Sequence, residues 1–173
     1  MLSRRTAVAS LAASTLAGAQ QQDGNPPPGM FADAEAYDRF NRFMGRCSGL
    51  LAPLLVDFTG LPHAAGPALD AGSGTGALAF SIAKLRVHCH VTGIDPSKEY
   101  VAYANAKNPF PGRARFQVGD AQQLEFSAAS FENSLSLLVF NFIPDPMKAW
   151  RELIRVTKPG VSSRPPFGTM ARG

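Results

Sequence analysis

A chain of 173 residues and 18.4 kDa comfortably holds one domain and is short for two. With 45% hydrophobic and 17% charged residues it is neither a disordered tract nor a fibrous repeat. The net charge of +4 is unevenly placed: residues 1–22 carry two arginines and no acid, residues 23–144 nine basic and eleven acidic side chains, and residues 145–173 six basic and two acidic, so the body is slightly acidic and a nucleic-acid partner is disfavoured.

Residues 1–22 read as a signal-like leader. A short basic stretch with Arg4 and Arg5 precedes the small apolar run Ala7 to Ala19, which is too short to span a bilayer as a helix. The pattern is compatible with a twin-arginine-like leader exporting the protein to the periplasm, although Ala7 stands where a bulky apolar residue is expected. It also suits an organelle transit peptide or a non-functional tail added by an upstream start codon. The two unpaired thiols, Cys47 and Cys89, suit a reducing compartment, and cytoplasmic function is the first expectation. Residues 23–33 contain Pro26, Pro27 and Pro28 and read as an extended linker.

The domain spans 34–160. Ala36, Phe40, Phe43 and Met44 recur at helical steps over 34–46, and a second short helix is expected at 50–58, after Gly49. From there strands and helices alternate: strand 67–71, helix 76–85, strand 88–94, helix 97–107, strands 114–118 and 133–140, helix 145–157. Such alternation builds right-handed βαβ units and a parallel sheet covered on both faces, an α/β fold. Asp145 and Pro146 suit the cap and first turn of the last helix. The tail 161–173, with two prolines, two glycines and no alternation, is irregular.

The densest signal is Asp70-Ala-Gly72-Ser-Gly74-Thr-Gly76, a glycine turn between the first strand and its helix, where backbone can approach a ligand without a Cβ in the way. Three acids then close three successive strands at 25-residue intervals: Asp70, Asp95 and Asp120. In an open parallel sheet the carboxyl ends of the strands form the ligand crevice, so all three should face one side. A carboxylate after the second strand suits ribose hydroxyls, in a nucleotide or a dinucleotide reading; Asp95-Pro96-Ser97 also suits a helix cap. Gly72, Gly74 and Ala77 can be read as a dinucleotide fingerprint.

The segments LDAGSGTG, TGIDPS, VGDAQQLEF and FENSLSLLVFNFIPDPMKAWRELIRVTKPG, in that order and spacing, resemble a class I S-adenosylmethionine-dependent methyltransferase of the small-molecule type over residues 34–160. The resemblance implies a Rossmann-like, doubly wound parallel sheet, here C-terminally incomplete, with S-adenosyl-L-methionine as cofactor and a small-molecule acceptor as partner. By the same resemblance Gly72, Gly74 and Gly76 would wrap the methionine part of the cofactor. Asp70 would hold the loop and the amino group, Asp95 the ribose, and Asp120 with Ala121 the adenine. Val139 and Phe140 would pack the cofactor just past the fourth strand, and Tyr37 and Arg46 would close over its carboxylate.

No catalytic base is identified: Asn141 stands near the expected acceptor but an amide is not a base, and His63, His88 and His90 lie away from the crevice. No metal site is indicated. The basic positions Lys148, Arg151, Arg155 and Lys158 read as a solvated helix face. The sequence supplies no strand after 133–140, which leaves Leu137, Leu138 and Val139 on a hydrophobic edge open to self-association and puts turnover in doubt. Two further readings compete: an NAD(P)-dependent oxidoreductase, which leaves Asp70 and Asp120 unexplained, and a non-catalytic partner-binding fragment.

Overall fold

In the computed structural model, which describes residues 45–61 and 66–159, four parallel strands stand in the order β3-β2-β1-β4. The strands are β1 (Ala68–Ala71), β2 (Val91–Asp95), β3 (Ala114–Val118) and β4 (Asn133–Leu135), and the helices are α1 (Arg46–Phe58), α2 (Ala77–Leu85), α3 (Lys98–Ala106) and α4 (Pro146–Val156). The central strand β1 pairs Asp70 with Gly93 of β2 on one side and Leu135 of β4 on the other. All four of its residues are buried, as both-face coverage of a parallel sheet requires. The leader, linker and tail expected from the sequence, and residues 34–44 of the expected first helix, lie outside the described residues, as do Tyr37 and His63.

Alternate side chains of each strand enter different layers. Ala68, Val91, Ala114, Phe116 and Leu135 pack with α1, α2 and α3, whereas Leu69, Ala71 and Ile94 pack with Ala149, Leu153 and Val156 of α4. The three α4 residues fall at steps of four and three, one helical face. Local chemistry starts these helices where the sequence places the signals. The Ser97 hydroxyl accepts the Tyr100 N–H to begin α3, and Asp145 accepts the Lys148 N–H ahead of Pro146 in α4.

Several expectations need correction. Gly49 does not separate two helices: α1 runs through it from Arg46 to Phe58, with Pro53 inside. The roughly 1 kcal/mol cost of a helical glycine is outweighed by burial of Ala52, Leu55 and Val56 against the core. The fourth strand ends at Leu135 instead of continuing to Phe140, because the Ser136 hydroxyl donates to the Ala71 carbonyl at 2.8 Å and Leu138 takes a positive φ of 60°. Leu137 is buried in the core rather than lined along a strand edge. A first parallel rung also forms next to β4, where Phe131 pairs with Thr157 just beyond α4. His88 and His90, expected on the second strand, precede it and are exposed.

Candidate active site

The carboxyl ends of β1, β2 and β3 and the segment after β4 enclose a cavity of about 520 Å³, within the roughly 300–1,000 Å³ range of small-molecule sites. The turn over residues 72–75 lines it. Gly72 has φ +75°, and a Cβ there would stand 2.4 Å from the Val139 side chain, so glycine is what allows the β1 turn and the post-β4 segment to touch. Gly74 has φ +51° and open space where a Cβ would point, leaving room for a ligand.

The three strand-end carboxylates all line this cavity, in three different environments. Asp70 is 1% exposed, and its Oδ2 accepts the N–H of Ala79 in the first turn of α2 at 3.0 Å. Burial raises its pKa to about 7; the Ala79 N–H opposes the rise and the charge of Asp95 adds to it. Asp95 is buried too, and desolvation pushes its pKa up against two opposing bonds, from the N–H groups of Ser97 to Oδ1 and Gly74 to Oδ2, each at 2.9 Å. It therefore fastens the glycine turn of β1 to the end of β2. Asp120 is exposed, and Gln122 donates to it through its backbone and its side chain.

The segment after β4 lines the cavity with apolar residues: Leu137, Leu138, Val139, Phe142, Ile143 and Pro144. The positive φ of Leu138 is uncommon for a bulky residue and sits in this wall. No histidine, lysine, arginine or cysteine lines the cavity among the described residues.

Among the expected site residues, Asp70, Gly72, Gly74, Asp95, Asp120, Ala121 and Val139 are brought together here. Gly76 is not part of the lining: it starts α2 at φ +95°, and the space of its missing Cβ is filled by Phe80 and Phe116. Phe140 turns away and meets Trp150 edge to face at 6.2 Å. Asn141 is exposed outside the cavity, and Arg46 is exposed at the head of α1, which lines the cavity through Ser48, with Gly45 just ahead of the helix. Sequence reasoning missed Ser73, Tyr100 and Gln122. A polar residue in a turn reads only as a turn residue. Tyr100 had a usable signal, since the first turn of a helix after a strand-end acid must face the crevice. Burial and the charge of Asp95 push its phenol well above the usual range.

The model of the family described as "Methyltransferase domain" matches residues 69–162. The chain belongs to this methyltransferase family. A ubiquinone/menaquinone biosynthesis C-methyltransferase of Bdellovibrio bacteriovorus is 33% identical over 141 residues, 76% of this chain and 57% of the relative. A malonyl-[acyl-carrier protein] O-methyltransferase of Pectobacterium atrosepticum is 31% identical over 81% of this chain and 51% of the relative. The methyltransferase chain thus spans little more than half the length of these two relatives. Its fold superposes on a SAM-dependent methyltransferase of Aquifex aeolicus with a TM-score of 0.63 and 21% identity, covering 73% of this chain and 68% of that one.

The cofactor that this membership assigns is S-adenosyl-L-methionine. The residues present fit it. The Ser73 hydroxyl is buried at the cavity without a hydrogen-bond partner among the described residues, Gly74 leaves a cradle that a side chain would fill, and the lining charges are all acidic, as a cationic sulfonium prefers.

Proposed function

We propose that this chain binds S-adenosyl-L-methionine in the strand-end cavity and transfers its methyl group to a small, uncharged acceptor against the wall after β4. The observation carrying this reading is the make-up of one cavity, lined by the carboxylates of Asp70, Asp95, Glu99 and Asp120 and by an uncharged apolar segment after β4. When bound, the cofactor supplies an activated methyl group on a cationic sulfur. Each Asp95 oxygen has lone-pair capacity beyond its backbone bond and would accept a ribose hydroxyl. Asp120 would accept the exocyclic amine of adenine, with Ala121 beside it. The turn Gly72–Thr75 would hold the methionine part, Asp70 would steady that turn and face the ammonium group, and Arg46 with Tyr37 would close on its carboxylate. The protein must align a nucleophile behind the methyl carbon and keep water out; the apolar wall serves the second need. A general base is required only by a nucleophile that arrives protonated.

The dinucleotide reading is disfavoured by Asp70. Its carboxylate already occupies a first-turn N–H of α2, where a pyrophosphate would otherwise bind. Calorimetric titration of the full chain should show binding of S-adenosylhomocysteine and none of NAD. Asp95→Ala should weaken S-adenosylhomocysteine binding by about 1.5–3 kcal/mol, the scale of hydrogen bonds to a charged acceptor. Preferential binding of NAD, or an Asp95→Ala variant with unchanged affinity, overturns the proposal.

A further inference from the structure

Gln122 bridges two parts of the cavity rim that the sheet does not connect. Its backbone N–H donates to Asp120 Oδ1 at 2.8 Å, and its side-chain Nε2 lies 3.2 Å from both Asp120 oxygens. Its Oε1 accepts the backbone N–H of Asp145 at 3.0 Å. Only one orientation of the amide satisfies both ends, because a backbone N–H can only donate and an ionised carboxylate can only accept. Asp145 is the residue whose side chain caps α4, directly after the apolar wall. One glutamine therefore ties the Asp120 carboxylate to the start of α4.

We infer that Gln122 is a positioning residue that fixes the Asp120 carboxylate and thereby sets the selectivity of the site for adenine over other purine bases. The inference rests on the reading of Asp120 as the acceptor of the adenine amine. Asp120 is exposed, and the Gln122 backbone N–H holds only Oδ1, so without the side-chain amide the carboxylate can turn about that one bond and carry Oδ2 away from the base presented. Hypoxanthine replaces the amine donor with a carbonyl oxygen, so a fixed carboxylate meets it acceptor to acceptor. A carboxylate able to swing into water escapes that repulsion and loses the discrimination. Gln122 thus governs the ratio of the two affinities more than either affinity alone, because rejection of the wrong base needs a group that cannot yield.

The test compares binding of S-adenosylhomocysteine and S-inosylhomocysteine to the full chain and to three variants by calorimetry, with melting curves as a check on folding. Gln122→Ala removes both side-chain links. Gln122→Glu keeps an acceptor for the Asp145 N–H but sets a carboxylate against Asp120; because its added charge itself favours an amine over a carbonyl, the Gln122→Ala ratio is the one that decides. Asp120→Asn removes the reader itself. The expected result is a fall of about tenfold in the adenine preference in Gln122→Ala, a smaller fall in Gln122→Glu, and in Asp120→Asn a fall at least as large as in Gln122→Ala. An unchanged ratio in Gln122→Ala, beside a collapsed ratio in Asp120→Asn, overturns the role of Gln122 and leaves the adenine reading standing. An unchanged ratio in Asp120→Asn overturns both.

Discussion

Asp70 carries two demands at once. The residue lines the cavity yet is almost wholly buried, with one backbone donor to the carboxyl, and burial holds its pKa at about 7 against an ordinary value of 3.8. A raised pKa means that the folded protein binds more protons than the unfolded chain between those two values. Stability from this group is therefore fully present below about pH 4 and is lost as pH rises through about 7. Asp95, also raised by desolvation, acts in the same direction. Glu152, held below its ordinary value by Arg155, acts oppositely but at a lower pH. The ligand-free chain should accordingly melt at a higher temperature at pH 5 than at pH 8. Asp70→Asn retains an oxygen for the Ala79 N–H and has no charge to bury, so its melting temperature should depend less on pH. Scanning calorimetry across this range decides the matter, and an unaltered slope in Asp70→Asn would show that its carboxyl is already ionised or hydrated in the fold.

At the scale of elements, the segment after β4 separates what the sequence discloses from what it conceals. Ser134 to Phe140 is nearly all apolar and reads as one buried strand, yet pairing stops at Leu135. Apolarity reports burial, and Leu137 is buried; it does not report that Ser136 would bond back to the Ala71 carbonyl or that Leu138 would adopt φ 60°. The alternation of strands and helices was legible because each period differs, and the glycine turn and strand-end acids were legible because close backbone approach and ribose or amine recognition demand those residue types. Ser73 and Gln122 left no such trace, since their roles come from what they touch. The backbone at Leu138 has a measurable consequence. A left-handed conformation costs a branched residue roughly 1–2 kcal/mol, whereas glycine adopts it freely. Leu138→Ala loses apolar contact and keeps the strain; Leu138→Gly loses the contact and relieves it. Urea denaturation should find Leu138→Gly the more stable of the two by about 1 kcal/mol, reversing the usual order of alanine and glycine. Alanine equal to or better than glycine would mean that the turn is unstrained.

At the scale of the whole molecule, α1 is the element that the βαβ alternation does not account for, yet it brings Ser48, and Gly45 just ahead of it, to the cavity. Its inner face packs through Ala52, Leu55 and Val56, while Leu50, Leu54 and Phe58 point to solvent. The polar fastening is Arg86, a buried guanidinium at the end of α2. Its Nε donates to the Leu61 carbonyl at 2.6 Å, and its Nη2 to the Val56 carbonyl at 3.3 Å and to Asp57 Oδ1 at 3.0 Å. These bonds are unequal. Asp57 is 67% exposed, so the ion pair is screened by water and contributes little. The Val56 carbonyl has a second donor in the Thr59 hydroxyl, but the buried Leu61 has only Arg86 at its carbonyl among the described residues. Asp57→Asn should therefore change stability by less than about 0.5 kcal/mol. Arg86→Met, which keeps an apolar stem but leaves that carbonyl unpaired, should cost roughly 2–3 kcal/mol. Because α1 and α2 share this fastening, the same variant should speed amide exchange along α1 more than in β1 and β2, and should weaken S-adenosylhomocysteine binding as Gly45 and Ser48 lose their place at the cavity. Exchange that rises equally in α1 and the central strands would instead show that α1 unfolds only with the sheet, and that Arg86 stabilises the domain as one cooperative unit.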